Sequence, residues 1–489
     1  MEFYSSADIA PREVKTNERR LAGGTISLDS IRLEHSILTG LVVDDPGVEH
    51  HDLSFDVYLD GKLSGSGSPI FPHLDSAGGL LARTGAFRIH LPEVRKERQI
   101  IAEIRASSSK ELLARQEFVQ LPLLSARGLD AITIMNIHRA PLASVDGFAL
   151  TEGKLCVTGL ALPPGGDPRR VSVKMEDGVT YKLIYPLPHP SARDVYWYWP
   201  NSNFSAYRLE IDLARTQHAR NTYAFTFSFD GDDVDKNSEL KNTFWIPKDL
   251  GAYQNYPSQE SLRRVQAFDN IAGVTVKGYS DCRRILEIAK RYGLASGGAK
   301  VLDWGVGHGR VVRHLHSVDA SIRPFGIDID QEHVAWIRDH LPEISVSHGP
   351  LMPPTHYPDD EFDLVHGISV LTHLTHSVQE AWLAEIRRIL RPGGMALLTF
   401  AGHTAAAFSS RFLEKAWLDE YLATGKGWDL PSNDLSGKIS DQNYYRNVNI
   451  SSTEVITLCK PYFEILDVLE CMFGYQDLAV LAKATREAA

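Results

Sequence analysis

The stretch that decides the fold of the C-terminal half reads VLDWGVGHGR and covers residues 301–310. Its apolar start predicts a buried strand, and three alternating glycines follow it. Glycines at this place let the backbone turn sharply and approach a ligand closely at the carboxyl end of a sheet. A dinucleotide-binding loop would carry its third glycine at position 310, where this chain has Arg310. The stretch predicts a strand, a ligand-binding loop and a helix, with a glycine spacing that disfavours a dehydrogenase.

Strand and helix patterns alternate from about residue 257 onward. Apolar runs at 322–327, 362–365 and 395–400 predict further strands, separated by segments with helical spacing. We expect Ser377 and Glu380 to form a capping box for a helix over 378–390. This alternation implies an α/β Rossmann-like fold, in which a parallel sheet carries helices on both faces.

The N-terminal half shows alternation of period two, which is typical of strands with one buried face. The run 53–59 is followed by Asp60 and Gly61, a pair that favours a tight hairpin. A similar arrangement occurs over 171–229. We predict two all-β, sandwich-like accessory domains. The expected organisation is a flexible tail at 1–20, β domains at 21–125 and 130–248, and an α/β domain at 257–489 with a lid-like insertion at 408–452.

Composition and charge limit the class of partner. Of the 489 residues 43% are hydrophobic and 23% are charged, which is typical of a globular protein. The net charge of -11 argues against nucleic acid or an anionic membrane as the main partner. The four cysteines are scattered, so free thiols in a reducing compartment are expected. Without a recognisable signal peptide or an apolar run long enough to span a membrane, we expect a cytoplasmic protein.

Acidic residues follow the first two predicted strands of the α/β region. Asp303 precedes the glycines and is suited to the cationic amino group of an amino-acid moiety. Asp328, at the end of the second strand, can accept hydrogen bonds from two ribose hydroxyls. Asp330 is expected to cap the next helix instead. The stretches FDLV at 362–365 and LRPGG at 390–394 follow in the same order.

Together these motifs resemble the class I S-adenosylmethionine-dependent methyltransferase family over roughly residues 260–400. The resemblance implies that Asp303 holds the methionine end of the cofactor and Asp328 its ribose. It implies an adenine site beside 350–351 and a methyl-donor region after the 362–365 strand. Position 348 departs from many relatives, because His348 stands where they carry Asp or Asn. The expected cofactor-binding residues are Asp303, Gly305, Val306, Gly307, Asp328, Ile329, Pro350, Leu351, Ile368 and Ser369.

Catalytic and acceptor residues are predicted around the methyl-donor region. His373 follows the 362–365 strand and is the candidate base that removes a proton from an acceptor hydroxyl. The alternative is that His373 only packs in the strand–helix loop. The insertion is the candidate lid, and Tyr445 and Arg446 are its candidate substrate contacts. A purely structural insertion is the alternative.

Two further resemblances suggest the acceptor. The stretch GISVLTHLTH at 367–376, with Trp382, resembles a bacterial methyltransferase subgroup associated with surface polysaccharide. Segments such as GAFRI at 85–89 resemble accessory modules of bacterial glycosyltransferases. They imply a sugar-hydroxyl O-methyltransferase in O-antigen or capsule biosynthesis, with a glycan acceptor and peripheral association with the assembly machinery. The alternatives are a methyltransferase for a small metabolite or a protein, and an inactive glycan-binding or scaffolding protein. The sequence gives no indication of oligomeric state.

The sequence also contains an aromatic run at 196–199 and two histidine pairs. If 196–199 is a strand, Trp197 and Trp199 share a face that could stack on sugar rings; the alternative is that they belong to a core. The pairs at 50–51 and 314–316 suggest metal ligands, but neither has an acidic or sulfur partner at a suitable spacing. We predict no metal site.

Overall fold

The structure is a computed structural model. It describes residues 19–21, 24–44, 53–74, 80–216, 221–231, 236–249, 255–266, 271–294, 297–432, 434–441 and 443–485. Residues 1–18 of the predicted tail and the histidine pair at 50–51 lie outside the described residues, whereas Arg19 and Arg20 belong to a strand.

The first part of the chain forms two antiparallel sheets. The five-stranded sheet has the order β1-β2-β3-β7-β6 and the four-stranded sheet the order β5-β4-β8-β9. Between β4 and β5, Asp60 and Gly61 make the predicted hairpin turn with φ of +49° and +82°. Both sheets contribute to one core, in which the rings of Phe55 and Phe87 lie 5.3 Å apart. The strands are β1 (Arg19–Leu21), β2 (Gly24–Glu34), β3 (Ile37–Asp44), β4 (Phe55–Leu59), β5 (Lys62–Gly67), β6 (Phe71–Leu74), β7 (Leu80–His90), β8 (Arg98–Ala106) and β9 (Leu112–Gln120).

The next part contains a second pair of sheets. Strand β12 pairs with β10, β11 and β15, and β14 pairs with β15; β13, β16 and β17 form a three-stranded sheet. Tyr207 and Phe227 pack 4.7 Å apart between the two sheets. The elements are α1 (Ala131–Ile137), β10 (Leu142–Ala143), β11 (Gly147–Thr151), β12 (Lys154–Leu162), β13 (Val171–Met175), β14 (Tyr181–Leu187), α2 (Ala192–Val195), β15 (Ala206–Asp212), β16 (Thr222–Phe229), α3 (Lys236–Lys241) and β17 (Thr243–Pro247).

The C-terminal part is built on a seven-stranded sheet of order β20-β19-β18-β21-β22-β26-β25. The first five strands of this order run parallel, and β26 and β25 are antiparallel. The elements are α4 (Gln259–Gln266), α5 (Gly278–Arg291), β18 (Lys300–Trp304), α6 (Leu315–Val318), β19 (Arg323–Asp328), α7 (Gln331–His340), β20 (Ser345–His348), β21 (Phe362–Gly367), α8 (His376–Ile389), β22 (Leu390–Phe400), α9 (His403–Ser409), α10 (Lys415–Thr424), β23 (Lys426–Pro431), β24 (Arg446–Ile450), α11 (Ser452–Cys459), β25 (Glu464–Phe473) and β26 (Gln476–Ala482).

Two local predictions in this sheet region are wrong. Helix α8 begins at His376, because the Gln379 amide already bonds the carbonyl of Thr375, so Ser377 lies inside the first turn and does not cap it. The strand predicted over 395–400 begins earlier, at Leu390, since Leu390 already pairs with Phe362 and a register shift accommodates the glycines.

The aromatic run at 196–199 is not a strand, which corrects the sugar-stacking prediction. It follows the short helix α2 in a turn, and Trp199 is buried with its Nε1 donating to the carbonyl of Pro163. Trp197 donates to Ser410 Oγ (2.9 Å), and Tyr196 packs edge-on against Phe408. The run therefore attaches the second pair of sheets to the insertion of the C-terminal part. The predicted domain boundaries stay predictions.

No helix among the described residues is long and apolar enough to cross a membrane.

Candidate active site

The glycine loop sits at the carboxyl end of β18 and is held by backbone contacts. The amides of Gly305 and Val306 both donate to the carbonyl of Ile327, at 2.9 and 3.1 Å. Gly305 has a φ of +73°, and a Cβ there would lie 2.5 Å from a methyl group of Val370. The loop therefore needs glycine both for its conformation and for its close contact with the segment after β21.

Asp328 lies at the carboxyl end of β19 and touches the same loop. One carboxylate oxygen accepts from the Gly307 amide and the other from the Asp330 amide, each at 2.7 Å. An ionised carboxylate has about four lone-pair positions, so each oxygen can still accept one more hydrogen bond. Asp330 caps α7 by accepting from the Glu332 amide (2.9 Å), as predicted.

Asp303 occupies a buried position behind the glycine loop, with only 4% of its surface exposed. Burial raises the pKa of its carboxyl group to about 8, against the opposing influence of Arg310. His366 Nδ1, from the adjacent strand β21, lies 3.4 Å from the carboxylate. Burial lowers the pKa of His366 to about 3, so this imidazole is neutral. Asp303 can therefore take up or release a proton near neutral pH when a cation approaches.

Arg310 and His366 were not predicted as site residues. Arg310 stands where a dinucleotide-binding loop has its third glycine, and it pairs with Asp281 at the start of α5. The first contact joins the glycine loop to α5, and the contact of His366 with Asp303 joins β21 to β18. An arginine in place of the third glycine was the signal in the sequence that could have identified Arg310. Nothing in the local pattern of residues indicated His366.

The predicted adenine-side residues follow β20. His348 Nε2 donates to the carbonyl of Ile329 (3.1 Å), which fixes an exposed ring at the strand end. The Gly349 amide donates to the carbonyl of Asp328 (2.8 Å). Next along the chain, Pro350 is exposed and Leu351 is half-buried, with the Leu351 carbonyl accepting from Trp382 Nε1. Residues 348–351 thus lie beside Asp328, although their contact with adenine stays a prediction.

The predicted methyl-donor region follows β21, where Ile368 is half-buried and Ser369 adopts a left-handed backbone with φ of +63°. The Ser369 amide donates to Thr399 Oγ1 (2.7 Å), and Gln476 Nε2 donates to Ser369 Oγ (2.9 Å). Thr399 in turn donates to Gln476 Oε1. This network holds a strained residue at the strand end, a kind of conformation that concentrates at functional sites. The sequence reading did not identify Thr399 or Gln476.

His373 lies between the end of β21 and the insertion. Its Nδ1 donates to the carbonyl of Arg446 at 2.7 Å, so the hydrogen of the neutral ring belongs on Nδ1. Its ring stacks on Tyr445, with centroids 4.2 Å apart and planes inclined by 15°. Burial lowers the pKa of His373. The Nε2 lone pair of a neutral, oriented imidazole is therefore available to accept a proton.

Tyr445 and Arg446 come from the insertion, and the structure gives them different environments. Burial raises the pKa of Tyr445, with smaller contributions from the charges of Asp434 and Asp328. The Arg446 guanidinium is bound to Asp429 of β23. Arg446 therefore joins β23 to β24, and its carbonyl orients His373; a contact of its side chain with substrate stays a prediction.

These residues fit S-adenosylmethionine in their donor and acceptor chemistry. Asp328 keeps one acceptor position on each oxygen, which matches a pair of ribose hydroxyls. Asp303 can become a carboxylate opposite an ammonium group. In the part of the chain that the structure describes, no three His, Cys, Asp or Glu side chains form a metal-binding group. His314, one of the paired histidines considered above as metal ligands, donates from Nε2 to the carbonyl of Val274.

Comparisons with known proteins match the part of the chain that contains this site. The sequence profile of a family described as "Methyltransferase domain" matches residues 301–394. A "probable S-adenosylmethionine-dependent methyltransferase" of Mycolicibacterium smegmatis is 30% identical over 151 residues, which cover 29% of this chain and 57% of that protein. The chain thus spans little more than half the length of this curated relative.

Among solved structures, a methyltransferase of Methanosarcina mazei is 16% identical, covering 40% of this chain and 98% of that one with a TM-score of 0.30. Human N-acetylserotonin methyltransferase, solved in complex with S-adenosylmethionine, is 16% identical, covering 43% and 56% with a TM-score of 0.27. The family match lies on the strands and loops described above, from β18 to β22. The C-terminal part of this chain contains a class I S-adenosylmethionine-dependent methyltransferase domain, and S-adenosylmethionine is its cofactor.

Proposed function

We propose that this chain is an O-methyltransferase that transfers a methyl group to a sugar hydroxyl. The observation that carries the proposal is the environment of His373, whose Nδ1 is bound to the carbonyl of Arg446. This hydrogen bond leaves Nε2 as the basic atom of the ring. A hydroxyl must lose its proton during methylation, and a neutral histidine with a lowered pKa is suited to accept it at physiological pH.

When bound, S-adenosylmethionine supplies an electrophilic methyl group. Asp328 and the glycine loop would hold its ribose, and Asp303 its ammonium group. Ser369, fixed by Thr399 and Gln476, would shape the wall beside the reacting groups. His373 Nε2 would accept the hydroxyl proton of the acceptor as its oxygen takes the methyl group. Much of the rate comes from holding the reacting atoms in line in a pocket that excludes water.

The insertion supports an acceptor with a flat or ring-shaped surface. Tyr445 stacks on His373, and the two half-buried rings form a flat apolar surface on the acceptor side. The sugar class rests on the resemblance of 367–376 to methyltransferases of surface-polysaccharide systems. On that basis the acceptor belongs to O-antigen or capsule biosynthesis, and the protein works in the cytoplasm, associated peripherally with the assembly machinery.

The test is a transfer assay with methyl-labelled S-adenosylmethionine and three acceptor classes: nucleotide sugars with neutral oligosaccharides, small phenols and amines, and denatured protein. Label on a saccharide hydroxyl, lost in His373→Asn, is the expected result. Label on a phenol, an amine or a protein would overturn the sugar assignment. Cofactor binding without transfer to any class would favour an inactive binding protein.

His376→Ala is the matched control for this assay. His376 stands three residues after His373, but its side chain is half exposed and faces Glu380 at 3.6 Å. Turnover in this variant should equal that of the wild type.

A further inference from the structure

A cavity of about 240 Å³ lies between the two pairs of N-terminal sheets, away from the methyltransferase site. One wall comes from β5 and β7 and the other from the loop at 164–170 and from Asn201. Among the residues facing it are the arginines Arg88, Arg169 and Arg170. Neither the family match nor the proposed reaction involves this cavity.

Arg88, on β7, faces the cavity without an ionic partner among the described residues. Its Nε donates to Asn201 Oδ1 at 2.8 Å, and its guanidinium lies 5.0 Å from the centre of the Phe204 ring. Among the described residues no carboxylate lies within 4.0 Å of this guanidinium, and the nearby Glu34 pairs with Arg193 instead. Burial lowers the pKa of Arg88 to about 10, so the group stays charged at neutral pH. Its two Nη groups remain for a ligand.

The position of Arg88 is fixed from the opposite wall. Asn201 is buried and has a left-handed backbone with φ of +56°. Its Nδ2 donates to the carbonyl of Gly166 (3.1 Å), which turns its Oδ1 toward Arg88. A Cβ on Gly166 would lie 2.1 Å from the carbonyl of Pro200, so this loop packs closely only with glycine. The guanidinium is therefore oriented before any ligand arrives.

The second arginine of the cavity has a different role. Arg169 makes a two-pronged ion pair with Asp167, with Nε and Nη2 contacts of 2.9 and 2.7 Å. The same Nη2 donates to the carbonyl of Ser66 on β5 (3.1 Å), which ties the two walls together. Asp167 neutralises Arg169, and the charge of Arg88 is left uncompensated. A planar guanidinium with two free N–H groups matches the two oxygens of a carboxylate or a phosphate.

We propose that this cavity is a binding site for the oxyanion group, carboxylate or phosphate, of a small ligand, and that Arg88 is its anchor. The ligand bridges the two pairs of sheets, because Arg88 belongs to the first and Asn201 to the second. Its size is limited to about one sugar residue, since the cavity is smaller than most ligand pockets. The site does not depend on methyl transfer.

The test is calorimetric titration of the full chain with inorganic phosphate, glucuronate and neutral glucose, in a buffer without phosphate. We expect phosphate, glucuronate or both to bind and glucose not to bind. Binding of phosphate alone would assign a phosphate-bearing ligand, and binding of glucuronate alone an acidic sugar. If neither anion binds, or if glucose binds as well as glucuronate, the proposal is wrong.

Three variants separate this site from anion binding elsewhere. Arg88→Gln should weaken binding about tenfold to a hundredfold, because a charged hydrogen bond is lost. Ser66→Glu adds a negative charge at an exposed residue of the cavity wall and should weaken binding without altering Arg88. Ser64→Glu, on the same strand but outside the cavity, should bind like the wild type. Unchanged anion binding in both Arg88→Gln and Ser66→Glu would overturn the proposal, and retained S-adenosylmethionine binding shows that the variants are folded.

Discussion

The cofactor side and the acceptor side of the methyltransferase site are built in different ways. On the cofactor side, Gly307 and Asp328 are 21 residues apart. Gly307 follows β18, Asp328 ends β19, and these two strands are parallel neighbours. On the acceptor side, His373 depends on the carbonyl of Arg446, 73 residues away, and Ser369 on Gln476, 107 residues away. The cofactor side is therefore formed by residues at the ends of neighbouring strands. The acceptor side forms only when segments that are distant in the sequence pack together. Variants on the two sides should separate binding from turnover.

The largest expected effect is on turnover. With an acceptor identified, His373→Asn should lower kcat about 100-fold to 10,000-fold, the usual contribution of a positioned base. The Kd of S-adenosylmethionine should stay unchanged, because His373 is on the acceptor side. In the wild type kcat/KM should rise with pH through the lowered pKa of His373 and then level off, since the base acts only when neutral. A rise centred above 6.5, the ordinary value, or an equal loss of cofactor binding, would contradict the distinction between the two sides.

The next largest effect is on the stability of the glycine loop. Gly305→Ala should destabilise the protein by about 1–2 kcal/mol through its left-handed backbone and by roughly 1–3 kcal/mol more through crowding against Val370. Urea denaturation measures the change in the free energy of unfolding. Gly474→Ala is the matched control, because its φ of +70° is similar but a Cβ there meets nothing within 4 Å. Equal losses in the two variants would remove the crowding argument.

A smaller effect is expected from pH. Because burial raises the pKa of Asp303 to about 8, this carboxyl is largely protonated at neutral pH in the free protein. An ammonium group favours the carboxylate, so binding should release a proton, and affinity should rise at most about tenfold per pH unit up to that pKa. Calorimetry in buffers with different ionisation enthalpies measures the release. In Asp303→Asn the pH dependence should flatten; a wild-type affinity independent of pH would contradict this role.

The same carboxyl affects stability with a defined sign. Its folded pKa lies above the ordinary value of 3.8, so the folded protein holds a proton that the unfolded chain releases. The contribution of Asp303 to stability should therefore fall as the pH rises from about 4 toward about 8.

The smallest effect is expected where the N-terminal part meets the insertion. Trp197→Phe removes the hydrogen bond to Ser410, 213 residues away, and should cost about 1 kcal/mol of unfolding free energy. Cofactor affinity should not change. A double-mutant cycle with Ser410→Ala isolates the contact, and additive losses would mean that this hydrogen bond contributes nothing.

The same contrast explains how much could be predicted from the sequence. The strands β18, β19, β21 and β22, the glycine loop and the cap at Asp330 follow from local spacing, and the structure confirms them. Asp328 reaches the loop because parallel strands bring their carboxyl ends together. The two-sheet cores of the N-terminal half also agree with the alternation of period two, while the domain boundaries stay predictions.

Residues whose position is decided by distant contacts could not be predicted from local sequence. His366 and Gln476 have no local signal, because their partners lie far away in the chain. Trp197 and Trp199 alternate like strand residues, yet they pack in a turn against the insertion and against Pro163. Local pattern is thus a good guide to the cofactor side and a poor one to the surfaces that enclose the acceptor.

The most direct test of the central claim is calorimetric titration of wild type and Asp328→Ala with S-adenosylmethionine and, in parallel, NADH. The structure predicts that wild type binds S-adenosylmethionine and not NADH. Asp328→Ala should weaken the binding by about 1–3 kcal/mol, because both ribose contacts and the bond to the Gly307 amide are lost. No binding of S-adenosylmethionine by the wild type, or equal binding in the variant, would contradict the assignment of this site.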